Sequence, residues 1–363
     1  MIKSNATIEL KNISKEFKNS KVIDGMNLFV KAGEFLVLLG PSGCGKSTTL
    51  RMIAGLEEPT SGDVLIDGEN LQKLSNDGHV IAMVFQDYAL YPNMTVYQNL
   101  EYALKVHKVP KEERQARIES VLGTLNLTEY KDRLPSQLSG GQKQRVAVGR
   151  GMVKKSKIFL LDEPLSNIDV QLREKARDEI QNLHVMNQQT IVYVTHDQLE
   201  AMALGDRIAV MDQGIIQMID EPENIYNNPT NLFVAKFIGT PQINVVEVVL
   251  RNGEMTLDGD VIMSNLQLNL EEKKYCLGIR PENLSCARTR QSKFDLKVKI
   301  DAVIDYGRFV QLSVLTSDGT TLKAIVNSFD FIVGEEIYIS LRQQKSLLFD
   351  CETEKNLYWG KHE

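Results

Sequence analysis

The stretch GPSGCGKST, residues 40–48, decides the fold of this chain. It follows the apolar run FLVLL and precedes KSTTLRMIAGL, whose spacing is typical of a helix. Glycines in such a turn let successive backbone N–H groups point into the loop, and the helix N-terminus adds the positive end of its dipole. A strand, a glycine-rich loop and a helix in this order predict a phosphate-binding loop in an α/β domain.

Two side chains of this loop carry chemistry. We expect the Lys46 ammonium to reach the β- and γ-phosphates of a nucleotide and the Ser47 hydroxyl to ligate Mg²⁺. The Cys44 side chain is interpreted as a small filler rather than as a reactive thiol. The other loop positions, with the backbone of Cys44, are expected to bind the nucleotide; they are Pro41, Ser42, Gly43, Gly45 and Thr48.

A second apolar run, IFLL, ends in an acidic pair. We expect Asp162 to hold the Mg²⁺ through water. Glu163 lies one residue further along the chain, so its side chain points elsewhere and could polarise the attacking water. General-base assistance of this kind is typically worth about 10²–10⁴-fold in rate.

Gln86 and His196 are weaker signals, because each is a single residue. Gln86 follows the apolar run VIAMVF, and His196 follows TIVYVT. The carboxyl ends of parallel strands meet at the edge of the sheet where such folds bind ligands. We therefore expect Gln86 to contact Mg²⁺ or the attacking water and His196 to contact the γ-phosphate; the alternative is an ordinary hydrogen-bonded side chain at a strand end.

The motif LSGGQ, residues 138–142, is a second glycine-rich turn. Ser139 and Gln142 have the spacing of a capping box, so a helix cap without any ligand accounts for them. Ser139, Gly140 and Gly141 at a helix N-terminus are also a suitable site for an anion. Two such loops of one chain cannot easily hold one nucleotide, so we expect this motif to bind the nucleotide of a second copy.

Hydrophobic patterning predicts two domains. Residues 1–238 alternate strands with helical patterns, which indicates an α/β P-loop NTPase core, with an inserted helical subdomain at about 87–153. From 239 to 363, short strand-like runs alternate with turn signals such as RNGE and TSDGT. This second pattern predicts a small all-β C-terminal domain of OB type.

Composition narrows the class of protein. The net charge of −6, from 42 Lys and Arg against 48 Asp and Glu, argues against nucleic acid as the main partner. The four cysteines are scattered, so neither a zinc site nor a disulfide framework is indicated, which fits a reducing cytosol. No apolar run approaches the roughly 18–20 residues needed to cross a bilayer.

Taken together, the motifs resemble those of the ATPase subunits of ABC transporters. The order and spacing of GPSGCGKST, Gln86, LSGGQ, IFLLDEPLSNID and VTHD carry this resemblance. VFQDYALYPNMTVYQNL and FIGTPQIN look like the ATPases of maltose and related carbohydrate importers. GIRPENL resembles the hallmark of their C-terminal regulatory domain, of TOBE type.

The resemblance implies ATP and Mg²⁺ as ligands and a homodimer in which residues 40–48 of one copy and LSGGQ of the other hold each ATP. It places Asp169 in the loop that communicates across the dimer, and Phe17 where an aromatic ring stacks on adenine. For Phe17, a place in the core is an open alternative. The resemblance also implies two transmembrane permease subunits, an extracytoplasmic substrate-binding protein that acts indirectly, and a peripheral position at the cytoplasmic face of the membrane.

Two other functions remain open from the sequence. An importer ATPase for polyamine, sulfate or iron would share the core and a β-rich tail. A soluble ABC ATPase acting on nucleic acid would need a basic, aromatic-lined groove in that tail. Residues 241–363 hold 15 Lys and Arg against 18 Asp and Glu, which disfavours the nucleic-acid function.

Overall fold

A computed structural model describes residues 5–18, 20–73, 80–154, 156–166, 170–257, 259–264, 266, 270–327, 330–341 and 343–357. Packing of the backbone divides the chain into two compact units, Met1–Pro222 and Glu223–Glu363.

The described residues of the first unit contain ten strands. They are β1 (Ile8–Phe17), β2 (Ser20–Val30), β3 (Phe35–Leu39), β4 (Ser61–Ile66), β5 (Glu69–Asn70), β6 (Ile81–Val84), β7 (Ile158–Asp162), β8 (Thr190–Thr195), β9 (Arg207–Asp212) and β10 (Ile215–Asp220). An antiparallel sheet has the order β2-β1-β4-β5, and the central sheet has the order β10-β9-β3-β8-β7-β6. In the central sheet only the β9–β10 pair is antiparallel. β3, β7 and β8 are buried along their whole length, as expected for strands covered on both faces, whereas β6 alternates between buried and half-buried residues.

Six α-helices accompany these strands in the part of the unit that the structure describes. They are α1 (Lys46–Ile53), α2 (Val96–Val106), α3 (Lys111–Thr124), α4 (Gly140–Val153), α5 (Val170–Asn187) and α6 (Gln198–Leu204). Helices α2, α3 and α4 share an apolar core of their own, which confirms the inserted helical subdomain. A capping box precedes α2, since Thr95 Oγ1 accepts from Gln98 N and Gln98 Oε1 accepts from Thr95 N. Helix begins only at Val96, because residues 87–95 form turns.

The second unit is mostly antiparallel sheet. It contains α7 (Pro222–Asn227, beginning at the unit boundary), α8 (Leu232–Phe237), β11 (Asn244–Arg251), β12 (Glu254–Leu257), β13 (Asp260–Met263), β14 (Lys274–Ile279), β15 (Ser285–Ala287), β16 (Leu296–Asp305), β17 (Val310–Leu315), β18 (Thr321–Val326), β19 (Glu336–Ser340) and β20 (Ser346–Asp350). The sheets have the orders β13-β12-β11-β14-β20 and β15-β19-β16-β17-β18, and they enclose one apolar core. This unit confirms the all-β C-terminal domain. The RNGE signal is a tight hairpin with Asn252 and Gly253 at positive φ.

The packing boundary at 222/223 precedes the sequence boundary at 238/239. The change of pattern in the sequence marks where strands begin, whereas packing assigns α7 and α8 to the β-rich unit. Leu232 and Ala235 of α8 pack with Ile243 and Phe349.

A buried arginine binds α7 and α8 to the second unit through hydrogen bonds. Arg280 is 4% exposed and donates to Ala235 O (3.1 Å), Ile238 O and Tyr226 O (2.8 Å), the last turns of α8 and α7. Its Cζ lies 4.1 Å from the centre of the Tyr226 ring. Carbonyls at helix C-termini need donors from outside the helix, and one guanidinium supplies three.

Two of the scattered cysteines are paired, which the sequence did not indicate. Cys276 and Cys351 form a disulfide, with Cα atoms 5.3 Å apart. Cys276 lies on β14 and Cys351 directly follows β20, its antiparallel neighbour. A separation of 75 residues hides this pairing from any reading of local spacing.

Candidate functional site

The loop at residues 40–48 joins β3 to α1 as the sequence predicts. Gly45 has φ of 104°, a left-handed conformation that favours glycine. A Cβ at Gly40 would lie 2.3 Å from Met211 O, so only glycine fits against β9. Among the described backbone–backbone hydrogen bonds, none starts from the N–H groups of Gly45, Lys46 or Ser47, and the Lys46 N–H donates to the Cys44 thiol. Free N–H groups at a helix N-terminus form an anion site, and these residues therefore fit a nucleotide phosphate.

The Lys46 side chain folds back over its own loop. It is 5% exposed, and Nζ donates to Gly40 O (2.9 Å) and Pro41 O (2.8 Å). Cys44 Sγ lies 3.8 Å from the same ammonium, and burial raises the pKa of this thiol. A raised pKa disfavours the reactive thiolate, which agrees with Cys44 as a filler.

Ser47 and Asp162 meet at the end of β7. Ser47 Oγ donates to Asp162 Oδ1 at 2.8 Å, although 115 residues separate them. Asp162 is 2% exposed, and its burial raises the pKa of the carboxyl against the opposing effect of the Ser47 hydrogen bond. A hydroxyl and a carboxylate are oxygen ligands of the kind that Mg²⁺ accepts together with water and phosphate oxygens. The described residues contain no cluster of three or more His, Cys, Asp or Glu side chains that would hold a metal alone.

Glu163 is the centre of a second group. His196 Nδ1 lies 3.3 Å from Glu163 Oε2, and Gln86 Nε2 donates to the same oxygen at 3.4 Å. The Glu163 backbone has φ of 45°, which turns the side chain away from the line of β7, and its N–H donates to Val194 O. Backbone strain in a non-glycine residue clusters at functional sites. The structure thus brings together Gln86, Glu163 and His196, from three strand ends.

LSGGQ opens α4, in the helical subdomain. Ser139 Oγ accepts from Gln142 N at 3.3 Å, and Gln142 Oε1 accepts from Ser139 N at 2.8 Å. The capping box is therefore real, and Ser139 and Gly140 are exposed. The described hydrogen bonds of this turn run within the turn itself and not to residues 40–48.

Two predicted site residues remain, Phe17 and Asp169. The Phe17 ring is 43% exposed and lies 4.7 Å below the Lys15 ammonium, so it is not a core side chain. Asp169 lies outside the described residues.

Sequence reasoning missed the residues behind His196. Glu200 is buried and accepts hydrogen bonds from Tyr193 and Thr195 at 2.8 Å each, and its burial raises the pKa of the carboxyl. Asp197 caps α6 and lies 3.3 Å from Arg173 of α5. The spacing THDxxE, in which Asp197 caps a helix that carries Glu200, was the signal that could have found them.

A second missed contact joins α4 to the loop after Gln86. Arg150 of α4 donates to Ala89 O at 2.6 Å, and its guanidinium lies 5.3 Å from the Tyr91 ring. Ala89 has a positive φ, which is uncommon for a residue other than glycine. The position of its carbonyl depends on this conformation, which the sequence does not predict.

Comparison with known proteins identifies the family. The ABC transporter family matches residues 23–166, and the TOBE domain matches residues 277–349. The chain is 40% identical to an osmoprotective compounds uptake ATP-binding protein of Synechocystis sp., over 98% of either protein. It is an ABC transporter ATP-binding protein. This ATPase is also 41% identical to a xylose/arabinose import ATP-binding protein of Haloferax volcanii, over 98% of this chain and 97% of that one.

Solved structures agree with this family. An ATP-binding cassette in a dimeric post-hydrolysis state with ADP and Pi has a TM-score of 0.54 and 34% identity, covering 59% of this chain and 98% of its own. A component of an ABC transporter complex from Clostridium perfringens has a TM-score of 0.56 and 27% identity, covering 60% of this chain and 89% of its own. The chain thus binds and hydrolyses ATP on an α/β cassette followed by a TOBE domain. Within its described part, none of the helices is long and apolar enough to span a membrane.

Proposed function

We propose that this ABC ATPase energises an importer, and that its described site residues act in ATP hydrolysis in the roles expected from the sequence. The single observation that carries the proposal is that three side chains contact two adjacent acidic residues at the end of β7. Ser47 reaches Asp162 at 2.8 Å, and Gln86 and His196 reach Glu163, on adjacent residues. Phosphate-binding loop, acidic anchor and proton acceptor therefore meet at one sheet edge.

Lys46 exchanges its loop carbonyls for the β- and γ-phosphates when ATP binds. The N–H groups of Gly45 and Ser47 bind phosphate oxygens, the Lys46 N–H turns to them from the Cys44 thiol, and the other loop residues shape the site. Mg²⁺, when bound, neutralises phosphate charge; Ser47 and Asp162 would hold it, with Gln86 as a further contact.

Glu163 is the general base. Its carboxylate takes a proton from the attacking water, and His196 and Gln86, which touch the same carboxylate oxygen, orient it. His196 is 56% exposed at its side chain, so it can also face a γ-phosphate. Glu200 and Thr195 position the strand end that carries His196.

LSGGQ acts on a second copy of the chain. Ser139 and Gly140 are exposed, at the N-terminus of a 14-residue helix whose dipole favours an anion. A dimer in which each ATP lies between one copy's residues 40–48 and the other's LSGGQ uses both loops. Asp169 and Phe17 are proposed at the dimer contact and beside adenine, respectively. The solved cassette in a post-hydrolysis state with ADP and Pi is likewise dimeric.

The transported substrate is proposed to be a carbohydrate. Support comes from the xylose/arabinose import relative. The equally similar osmoprotective compounds uptake protein favours a second candidate, an osmoprotectant. Two permease subunits would span the membrane, a substrate-binding protein would act outside it, and this chain would lie peripherally at its cytoplasmic face. Uptake of radiolabelled xylose and of an osmoprotectant by cells lacking this chain separates the two substrates.

A cross-linking experiment tests the dimer. The variant carries Glu163→Gln to block hydrolysis, serine at the four native cysteines, and Ser42→Cys with Ser139→Cys. Both new positions are exposed. A disulfide needs Cα atoms within about 7 Å, so an ATP-dependent band of doubled mass on a non-reducing gel is expected only if the two loops meet across copies.

A matched control replaces Ser139→Cys by Ser136→Cys, which is also exposed but lies before the turn. This control should give no ATP-dependent band. A bridge within one chain, or equal bridging by the control, would make LSGGQ a helix cap alone.

A further inference from the structure

The disulfide of the second unit lies on the face of the sheet that α8 covers. Cys276 packs beside the cluster formed by Leu232, Ala235, Ile243 and Phe349. Cys351 follows Phe349 by two residues, so it belongs to the same face. Both cysteines are partly exposed, unlike the buried Cys44. The bond is therefore within reach of small molecules.

The disulfide also anchors a turn that seats α8. β20 is an edge strand whose neighbour is β14, and Cys351 begins the turn after it. Beyond the turn, Lys355 pairs with Asn231, the residue that caps α8. Glu354 O accepts from Leu232 N, and Asn356 Nδ2 donates to Pro229 O. The bond from Cys276 thus fixes the segment 351–357 on which the start of α8 rests.

We propose that Cys276 and Cys351 are a reversible oxidation site, closed by small-molecule disulfides such as oxidised glutathione and opened by the corresponding thiol. The proposal rests on the proposed function in one respect, since a chain at the cytoplasmic face meets a reducing thiol pool. Disulfides in such a setting are usually transient or redox-sensing. Closure immobilises segment 351–357, and opening lets it and the start of α8 move.

The chemistry balances by thiol–disulfide exchange. One cysteine thiolate attacks oxidised glutathione, giving a mixed disulfide and releasing one glutathione thiolate. The second cysteine thiolate then attacks the cysteine sulfur of the mixed disulfide, forming the Cys276–Cys351 bond and releasing the second glutathione. Two protons leave the protein thiols, and two electrons pass to the two glutathione molecules.

Thiol counting tests reversibility in the full chain. The protein is equilibrated in buffers of graded reduced to oxidised glutathione, denatured in acid and labelled with PEG-maleimide. Four labels indicate the open form, and two, on Cys44 and Cys286, indicate the closed form. We expect a single transition between two and four labels within the glutathione range. Four labels in oxidised glutathione alone, or two in reduced glutathione alone, would overturn the proposal.

Hydrogen exchange tests the structural consequence. Peptides covering 229–238 and 351–357 should exchange at least several-fold faster in the open form. Cys351→Ser should show the faster exchange in every buffer, whereas Cys286→Ser should lose one label and keep the wild-type transition. Equal exchange in the open and closed forms would refute the link to α8. None of these readouts needs ATP, so a parallel ATPase assay keeps a failure of the proposed function separate.

Discussion

Lys46 and Arg280 are buried cations that both donate hydrogen bonds to backbone carbonyls, but their roles differ. They are 5% and 4% exposed. Lys46 donates to two carbonyls of its own loop, and Arg280 donates to three carbonyls at the ends of two helices. An ammonium is a compact charge on a flexible stem, whereas a guanidinium is a rigid fork. Lys46, which must exchange its partners for phosphates, is bound by its own loop. Arg280, which stabilises the fold, is bound by helices that are distant in sequence.

Replacement of Lys46 should give the largest effect. Lys46→Met keeps the side-chain length but removes the charge that would meet the phosphates, so we expect ATP hydrolysis to fall by about 10²–10³-fold or more. Stability should fall less than in the arginine variant below, because Lys46 holds only two carbonyls, both of its own loop, and joins no separate elements. Steady-state ATPase rates and thermal unfolding measure both. A melting loss as large as that of the arginine variant below would break the comparison.

Arg280→Met should show the opposite profile. Three carbonyls lose their donor, so the free energy of unfolding of the second unit should fall by about 3 kcal/mol. ATP binding by isolated protein should persist. Denaturant titration and hydrogen exchange of residues 223–238 measure the loss. Arg280→Lys is the matched control, and it should recover only part, because one ammonium cannot serve all three carbonyls.

Substitutions at two glycines, one beside Arg280 and one in the phosphate loop, test the same comparison. Gly239 has φ of 114°, and a Cβ there would lie 2.8 Å from Arg280 Nη1. Gly239→Ala should therefore cost about 2 kcal/mol of unfolding free energy and spare ATP binding. Gly45→Ala should impair ATP binding, because φ of 104° and a Cβ only 2.5 Å from Ile23 Cδ1 would distort the phosphate loop. Gly259→Ala, with positive φ but open space around it, should cost only about 1 kcal/mol. Equal losses at Gly239 and Gly259 would exclude the contact with Arg280.

The smallest expected effect is a gain in stability at Asp162. Its folded-state pKa is raised by burial, so its contribution favours folding below the unfolded pKa of about 3.8 and is lost as pH rises through the folded value. At pH 7 the ionised carboxylate therefore opposes folding. Asp162→Asn should raise the free energy of unfolding by less than about 1 kcal/mol at pH 7, while hydrolysis is lost. Melting curves of both proteins from pH 3 to 7 should diverge as pH rises; convergence would contradict the pKa direction.

Local pattern was sufficient wherever the signal lay within a few residues. The phosphate loop, the capping boxes at Thr95 and Ser139, and the Asn252–Gly253 hairpin all depend on short-range backbone geometry. Four strands of the central sheet, β3, β6, β7 and β8, could be predicted from their apolar runs, whereas β9 and β10 were not predicted. The ABC family followed from motifs in order.

Contacts between residues distant in sequence could not be predicted from local patterns. The Cys276–Cys351 bond joins neighbours in a sheet that are 75 residues apart. The boundary at 222/223 depends on where α8 packs, and the Leu232 and Ala235 contacts with Ile243 and Phe349 join residues distant in sequence. The network around Glu200 needs three side chains that converge only once β8 and α6 are placed.

The sequence by itself determined the ABC family, the α/β cassette, the β-rich tail and the residue types of the site, because each is encoded in local spacing and periodicity. Only the tertiary structure decided that Ser47 reaches Asp162, that Gln86 and His196 share one oxygen of Glu163, and that Arg280 holds α7 and α8. These contacts arise from strand order and crossover connections, which bring distant residues to one edge and which no short segment specifies.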